Sequence, residues 1–377
     1  MNNTKLRNLL SIGIGDSIGN VLSAIFWFYI ASVLEPEQYG EIFYFLGIAG
    51  LVAAASLIGT QNTIVVYTAK KIDIHSTLYF LSLIFGVISS IVIIFLFYRV
   101  DVVVLLFGYI INTLAIGELL GRRKYTSYSK HVLIQKGLTL VLGIGFYFIF
   151  GPEGIIYALA LTYVHFSFII IKSFNGIRTG FRLVKGRIGF IINNYILTLV
   201  GRSTGHVDKL IIAPLLGFAL LGNYGLALQV VGMLIIPSQI FYKYLLPEES
   251  KGNIQTKLKL VALVISIGLA VLGYFLSPWF ITSFFPKFTE VLDAIQIMSF
   301  WVIPGTIVIL YQTTFLAQEK SRFVLIGNII SLSIIVSGMI ILGQYFGMVG
   351  LAITYVLSFS IEAMFCFIVN RKYMDKT

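Results

Sequence analysis

Residues 201–209 read Gly201-Arg202-Ser203-Thr204-Gly205-His206-Val207-Asp208-Lys209 and set four ionisable side chains in the middle of an apolar run, 188–217. A charge at bilayer depth costs about 2.5–3.5 kcal/mol on insertion scales, so such residues ordinarily face a wet cavity and mark a substrate or ion path. Gly201 to Gly205 also matches the Gly-x-Ser-x-Gly pattern of serine hydrolases, with His206 and Asp208 close enough in sequence to tempt a triad. That pattern works only on a sharp strand-to-helix turn above a sheet, and no strand-rich sequence flanks it here. Ser203 is read as incidental, and no enzyme is expected.

Placed on one helix at about 100° per residue, Tyr195, Thr198, Arg202, His206 and Lys209 share a narrow stripe, while Asp208 projects about 120° away from Arg202. Arginine grips phosphate oxygens bidentately and lysine adds a point charge. The spacing therefore predicts Arg202, Lys209 and His206 as contacts for an anionic ligand, with Asp208 on a different face. Two alternatives stay open. The charges pair with an acid such as Asp16 or Glu362 and only fix packing, or Gly201 and Gly205 break the helix and void the shared stripe.

Other polar residues fall inside apolar runs. Asp16, Asn20 and Ser23 recur at helical spacing, as do Ser56, Thr60, Thr63 and Tyr67, with Gln61 and Asn62 beside them. A hydrated central cavity lined by Asn20, Thr60, Gln61 and Tyr195 explains these faces better than scattered helix contacts, each worth only about 0.6 kcal/mol. Asp16 and Asp208 are the candidates for binding a coupling proton or cation. No phosphate-binding loop is present and no zinc spacing links the histidines. The single cysteine, Cys366, excludes a disulfide framework and a cysteine-based metal site. Neither a cofactor nor a metal is expected.

The elements that position these residues are membrane spans. Hydrophobic residues make up 58% of the 377 and charged residues 11%, far below the roughly 25% charged of soluble domains. About 20 apolar residues cross a hydrocarbon core about 30 Å thick. Segments of that kind fall near 8–33, 42–66, 77–98, 102–120, 132–150, 154–173, 188–217, 219–245, 258–277, 291–316, 323–343 and 348–369. The sequence predicts an all-α polytopic membrane protein with about 12 transmembrane helices.

The net charge is +11, yet its placement argues against nucleic acid. Of 27 Lys and Arg residues, only Arg99 and Lys287 fall in loops assigned to the outside, and Arg202 and Lys209 lie within a span. The rest fall on the side of the N-terminus. The positive-inside rule then places both termini in the cytoplasm of a multi-pass cell-membrane protein.

The chain repeats itself weakly. Leu120-Gly121-Arg122-Arg123-Lys124 corresponds to Leu316-Ala317-Gln318-Glu319-Lys320, and Gly151-Pro152-Glu153-Gly154 to Gly347-Met348-Val349-Gly350, both 196 residues apart. Glu37-Gln38-Tyr39-Gly40 corresponds to Gly222-Asn223-Tyr224-Gly225 at an offset of 185. These matches predict two six-helix bundles related by a parallel pseudo-repeat around a central cavity. The bundles are expected at 1–173 and 188–377, joined by a basic segment, 174–187. That segment reads either as an interfacial helix on anionic inner-leaflet lipid or as a plain linker.

The run Leu34-Glu35-Pro36-Glu37-Gln38-Tyr39-Gly40 resembles the Leu-x-Pro-x-x-Tyr/Phe-Gly loop of polysaccharide-biosynthesis membrane proteins, the O-antigen or teichoic-acid type flippases. They belong to the multidrug/oligosaccharidyl-lipid/polysaccharide exporter superfamily. Val207-Asp208-Lys209-Leu210-Ile211-Ile212, Leu215-Leu216-Gly217 and Leu221-Gly222-Asn223-Tyr224-Gly225-Leu226-Ala227 are similar to that family's seventh-span region, and the run from Gly347 to Ala352 also fits. The resemblance implies a two-bundle transporter that moves a polyprenyl-diphosphate-linked oligosaccharide from the inner to the outer leaflet by alternating access. In that setting Arg202 and Lys209 would receive the diphosphate, and glycan-assembly proteins would be partners. The alternative on the same fold is a cation-coupled exporter of drugs or other small molecules.

Overall fold

The computed structural model describes residues 3–58, 61–72, 74–174, 180–249, 255–288 and 290–373. Among them every regular element is helical. In chain order come α1 (Asn3–Val33), α2 (Pro36–Ser56), α3 (Gln61–Ala69), α4 (His75–Phe97), α5 (Val100–Gly121), α6 (Tyr125–Phe150), α7 (Gly154–Leu161) and α8 (Ser167–Ser173). A short α9 (Gly180–Lys185) leads to α10 (Ile188–Ser203), α11 (Val207–Leu216), α12 (Phe218–Leu234) and α13 (Ile236–Glu249). The chain closes with α14 (Thr256–Phe284), α15 (Val291–Ser299), α16 (Val302–Ala317) and α17 (Ser321–Tyr373).

Helices dominate because hydrocarbon offers no partner for a bare N–H or C=O, so each spanning segment must satisfy its own backbone. Among the described residues seven stretches are long and apolar enough to cross a membrane, and nine if α12 with α13 and α15 with α16 are each one bent span. Two of the seven are double. Tyr125–Ser173 covers α6 to α8, and α17 runs 53 residues, or about 80 Å, against a core of about 30 Å. The break in α17 is Gly347, with φ 54° and ψ −131°. The α10–α11 run, which carries Arg202, Asp208 and Lys209, is not among these stretches.

The chain divides into two compact units: Met1–Trp27 with Phe45–His206, and Phe28–Tyr44 with Val207–Thr377. The boundaries read from the sequence, 1–173, 174–187 and 188–377, differ from this in two places. First, α10 belongs to the first unit, held there by the Tyr195 hydroxyl donating to the Ala55 carbonyl (2.8 Å) and by Phe190 edge-on to Tyr67. Second, the α1–α2 turn belongs to the second unit. Phe28 packs on Phe280 and Phe285, Tyr39 packs edge-on to Phe288, and Glu35 pairs with Lys287 at 2.8 Å. Arg178 and Gly176 of the basic segment lie outside the described residues.

Glycines set how closely these helices approach. A Cβ on Gly40 would overlap the Phe218 carbonyl, and one on Gly222 would overlap the Pro36 carbonyl. The starts of α2 and α12 therefore cross backbone to backbone. In the first unit Gly15 meets Ser129, and Gly117 and Gly121 seat α3 against α5 through Ile64 and Thr68. The 196-residue offset also appears in the backbone: Arg123 and Glu319 have φ 58° and 59°, and Gly151 and Gly347 have φ 68° and 54°.

Gly222→Ala should destabilise the protein by about 1–3 kcal/mol, because an overpacked backbone crossing cannot relax through a side-chain rotamer. Gly137→Ala, where nothing lies within 4 Å of the added carbon, should stabilise it by up to about 1 kcal/mol. Thermal unfolding of both purified variants in one detergent checks the contrast.

Candidate functional site

The segment around Arg202 is not one helix. The α10 ladder ends at Ser203, and the backbone tightens: Gly205 donates to the Arg202 carbonyl (3.1 Å) and His206 to the Ser203 carbonyl (3.1 Å) before α11 starts at Val207. Ser203 and Thr204 assist the break by donating their hydroxyls to the Leu199 and Val200 carbonyls at 2.7 and 3.0 Å, a back-bonding that bends helices. The Ser203 hydroxyl is thereby committed to the backbone.

The break corrects the helical stripe. Arg202 and Lys209 are not on a common helix face, and Asp208 is not turned away from the cations. Lys209 Nζ donates to both Asp208 oxygens at 3.0 and 3.2 Å, and the Lys209 backbone N–H donates to the same carboxylate at 2.9 Å. Asp208 is 3% exposed and Lys209 8%. Tyr224 and Tyr355 stand within electrostatic reach of the carboxylate. This pair is a neutral unit in the interior of the second compact unit, within the first turn of α11.

The other sequence candidates sit in the first unit. Arg202 Nη2 donates to the Thr113 hydroxyl of α5 at 3.3 Å. The His206 ring occupies the space that a side chain at Gly50 would fill. Asp16 accepts from the Tyr128 hydroxyl of α6 at 2.9 Å, with Lys136 one helical stretch further along α6 in electrostatic reach. Asn20 is exposed, and Gln61 opens α3, half-buried. Tyr195 is used by Ala55, as above. Thr60 lies outside the described residues. The structure thus brings together Asp16, Tyr128 and Lys136, and separately Arg202 with Thr113.

Two buried carboxylates were missed or underrated in the sequence. Glu118, 1% exposed, takes the Tyr79 hydroxyl at 2.7 Å, the Thr68 hydroxyl at 3.4 Å and the Arg122 guanidinium. The four-residue spacing of Glu118 and Arg122 was a legible pairing signal. Glu362, named from the sequence as an acid with which the cations of 201–209 could pair, is 2% exposed and accepts from Gln312 at 3.2 Å, while Gln312 also reaches Asn328 at 3.4 Å. Among the described residues no group of three His, Cys, Asp or Glu side chains could hold a metal ion.

With the geometry in hand, known proteins give a consistent comparison. No protein-family profile and no curated protein sequence matches the chain. Solved structures do. An inward-facing multidrug resistance MATE family transporter of the MOP superfamily superposes with a TM-score of 0.74 at 17% identity, covering 98% of each chain. An outward-facing structure of such a transporter gives 0.69 at 18% identity over 98% of this chain and 95% of the other. A MATE structure in the straight conformation gives 0.67 at 18% identity over the same shares.

The chain shares the MATE transporter fold. The expectation of an all-α, two-bundle membrane protein is met by that likeness.

The Asp208–Lys209 pair yields a prediction. Lys209→Met leaves a buried carboxylate without its cation and should cost about 3–5 kcal/mol, whereas Lys209→Met with Asp208→Asn should recover most of that loss. A double-mutant cycle on thermal stability in detergent measures the coupling; additive losses would mean that the two side chains do not act as a pair.

Proposed function

We propose that this chain is a secondary transporter of the cell membrane that exports small organic molecules by alternating access, driven by a proton or cation gradient. The observation that carries this reading is the full-length likeness to a multidrug MATE transporter in both its inward-facing and outward-facing forms. A fold that superposes on both end states over nearly the whole chain is suited to moving between them.

In this reading Asp16 is the coupling group. A carboxylate that accepts from Tyr128 and stands near Lys136 changes its partners when it takes up a proton or a cation, and a change of partners is what biases a two-state protein. Arg202, His206 and Tyr195 contribute the polar lining in the first unit. Lys209, offset by Asp208, supplies little net charge to a ligand, so Asp208 is a weaker coupling candidate than Asp16.

A second reading keeps the transport cycle and changes the cargo to a polyprenyl-diphosphate-linked oligosaccharide, with glycan-assembly proteins as partners. The observation favouring it is Arg202, a permanent cation at the end of α10 suited to bidentate contact with phosphate oxygens. The neutralised Lys209 removes one of the two cations on which that cargo would rely.

Purified protein in liposomes distinguishes the two. A proton or Na⁺ gradient should drive efflux of a fluorescent organic dye, and Asp16→Asn should slow gradient-driven efflux at least tenfold while dye binding persists. Dye efflux that ignores both gradients, alongside translocation of a fluorescent polyprenyl-diphosphate sugar that fails in Arg202→Ala, would replace the first reading with the second.

A further inference from the structure

At one end of the first unit lies a cavity of about 600 Å³ lined by Thr68, Lys71, His75, Gly121, Arg122 and Arg123 with Ala69 and Ile72. Its size falls within the range of small-molecule sites, about 300–1,000 Å³. The segments that carry it, 70–72 and 122–124, are among those that the charge pattern assigns to the cytoplasm.

Two helix ends build its rim in the same way. After α3, Lys71 donates to the Thr68 carbonyl (3.0 Å) and Ile72 to the Tyr67 carbonyl (2.9 Å). After α5, Arg123 donates to the Leu120 carbonyl (3.0 Å) and Lys124 to the Leu119 carbonyl (2.9 Å). Both are Schellman endings, and the left-handed residue, normally glycine, is Lys71 (φ 57°) in one and Arg123 (φ 58°) in the other. A left-handed backbone is uncommon for a residue with a long side chain. Gly117 and Gly121 seat α3 on α5, which brings the two endings together.

Basic residues at helix C-termini also offset the helix dipole. That does not account for this pair, because the repeat-related position after α16 makes the same ending (Glu319 to the Leu316 carbonyl, Lys320 to the Phe315 carbonyl) with an acid at φ 59°. The ending therefore does not require a cation. Arg122 directs its Nε to Glu118 yet stays 41% exposed, so its terminal nitrogens keep donors for another partner. Among the described residues neither Lys71 nor Arg123 is in an ion pair. Three cationic side chains around one cavity, with the Thr68 hydroxyl at its wall, match the oxygens of a phosphate group.

We propose that this cavity binds a phosphate group at the membrane surface, either the headgroup of an anionic phospholipid or a soluble phosphate. The site is separate from Asp16 and Arg202 in sequence position and is formed within one unit.

The test uses full-length protein purified in a non-ionic detergent and short-chain phosphatidylglycerol as the probe, with short-chain phosphatidylcholine as the neutral comparison. Phosphatidylglycerol should bind at least tenfold more tightly than phosphatidylcholine. Lys71→Gln with Arg123→Gln should weaken it about tenfold or more, while Arg371→Gln with Lys372→Gln, at the end of α17, should leave it unchanged. Both pairs are exposed, and unchanged thermal stability of each variant confirms folding. Displacement by millimolar inorganic phosphate would identify a soluble source, and persistence of the lipid in phosphate would identify the headgroup. Equal weakening by the two double variants, or none by the first, overturns the site.

Discussion

Hydrocarbon offers nothing for a polar group to bond to, and that constraint organises this molecule. It compels helices, since each span must close its own backbone hydrogen bonds. It also compels every buried charge to find a partner within its own bundle. Asp208 has Lys209, Glu118 has Arg122 and Tyr79, Glu362 has Gln312, and Asp16 has Tyr128. Lys259, between Glu249 at 2.6 Å and Thr314 at 2.8 Å, obeys the same rule at the start of α14. These buried carboxylates sit in separate local clusters rather than in one continuous charged stripe.

The same constraint makes glycine valuable for a second reason. Interhelical packing in lipid depends on close approach because burial of apolar surface gains little there. Gly40 and Gly222 allow backbones to touch, Gly15 accepts Ser129, and Gly117 with Gly121 docks α3. The motif residues around Gly40 and Gly222, which carried the resemblance to lipid-linked oligosaccharide flippases, thus have a packing role in the second unit. Their presence speaks for the fold more directly than for the cargo.

How much of this was legible in the sequence follows from the kind of signal each feature leaves. Span lengths, the two-bundle organisation and the repeat at 196 residues were legible because hydropathy and turn glycines are local. The left-handed backbones at Arg123 and Glu319 show the repeat in geometry as well as in letters. The break after Ser203 dissolves the stripe, because a helical wheel presumes an unbroken ladder. The grouping of α10 with the first unit and of the α1–α2 turn with the second was not legible, because it rests on ring contacts such as Tyr39 with Phe288. Glu118 was overlooked since an acid beside Arg122 and Arg123 reads as a span-end residue, although its burial makes it structural.

The central claim is that the polar interior near Arg202 serves an alternating-access cycle. Cys366 is the only cysteine and is buried, so a Cys366→Ser background carrying Arg202→Cys reports accessibility at one position. A membrane-impermeant maleimide should label position 202 from one side of sealed vesicles at rest, and an imposed proton or Na⁺ gradient should transfer that labelling to the other side. Labelling from the same side under every gradient, or from neither side, would contradict the account.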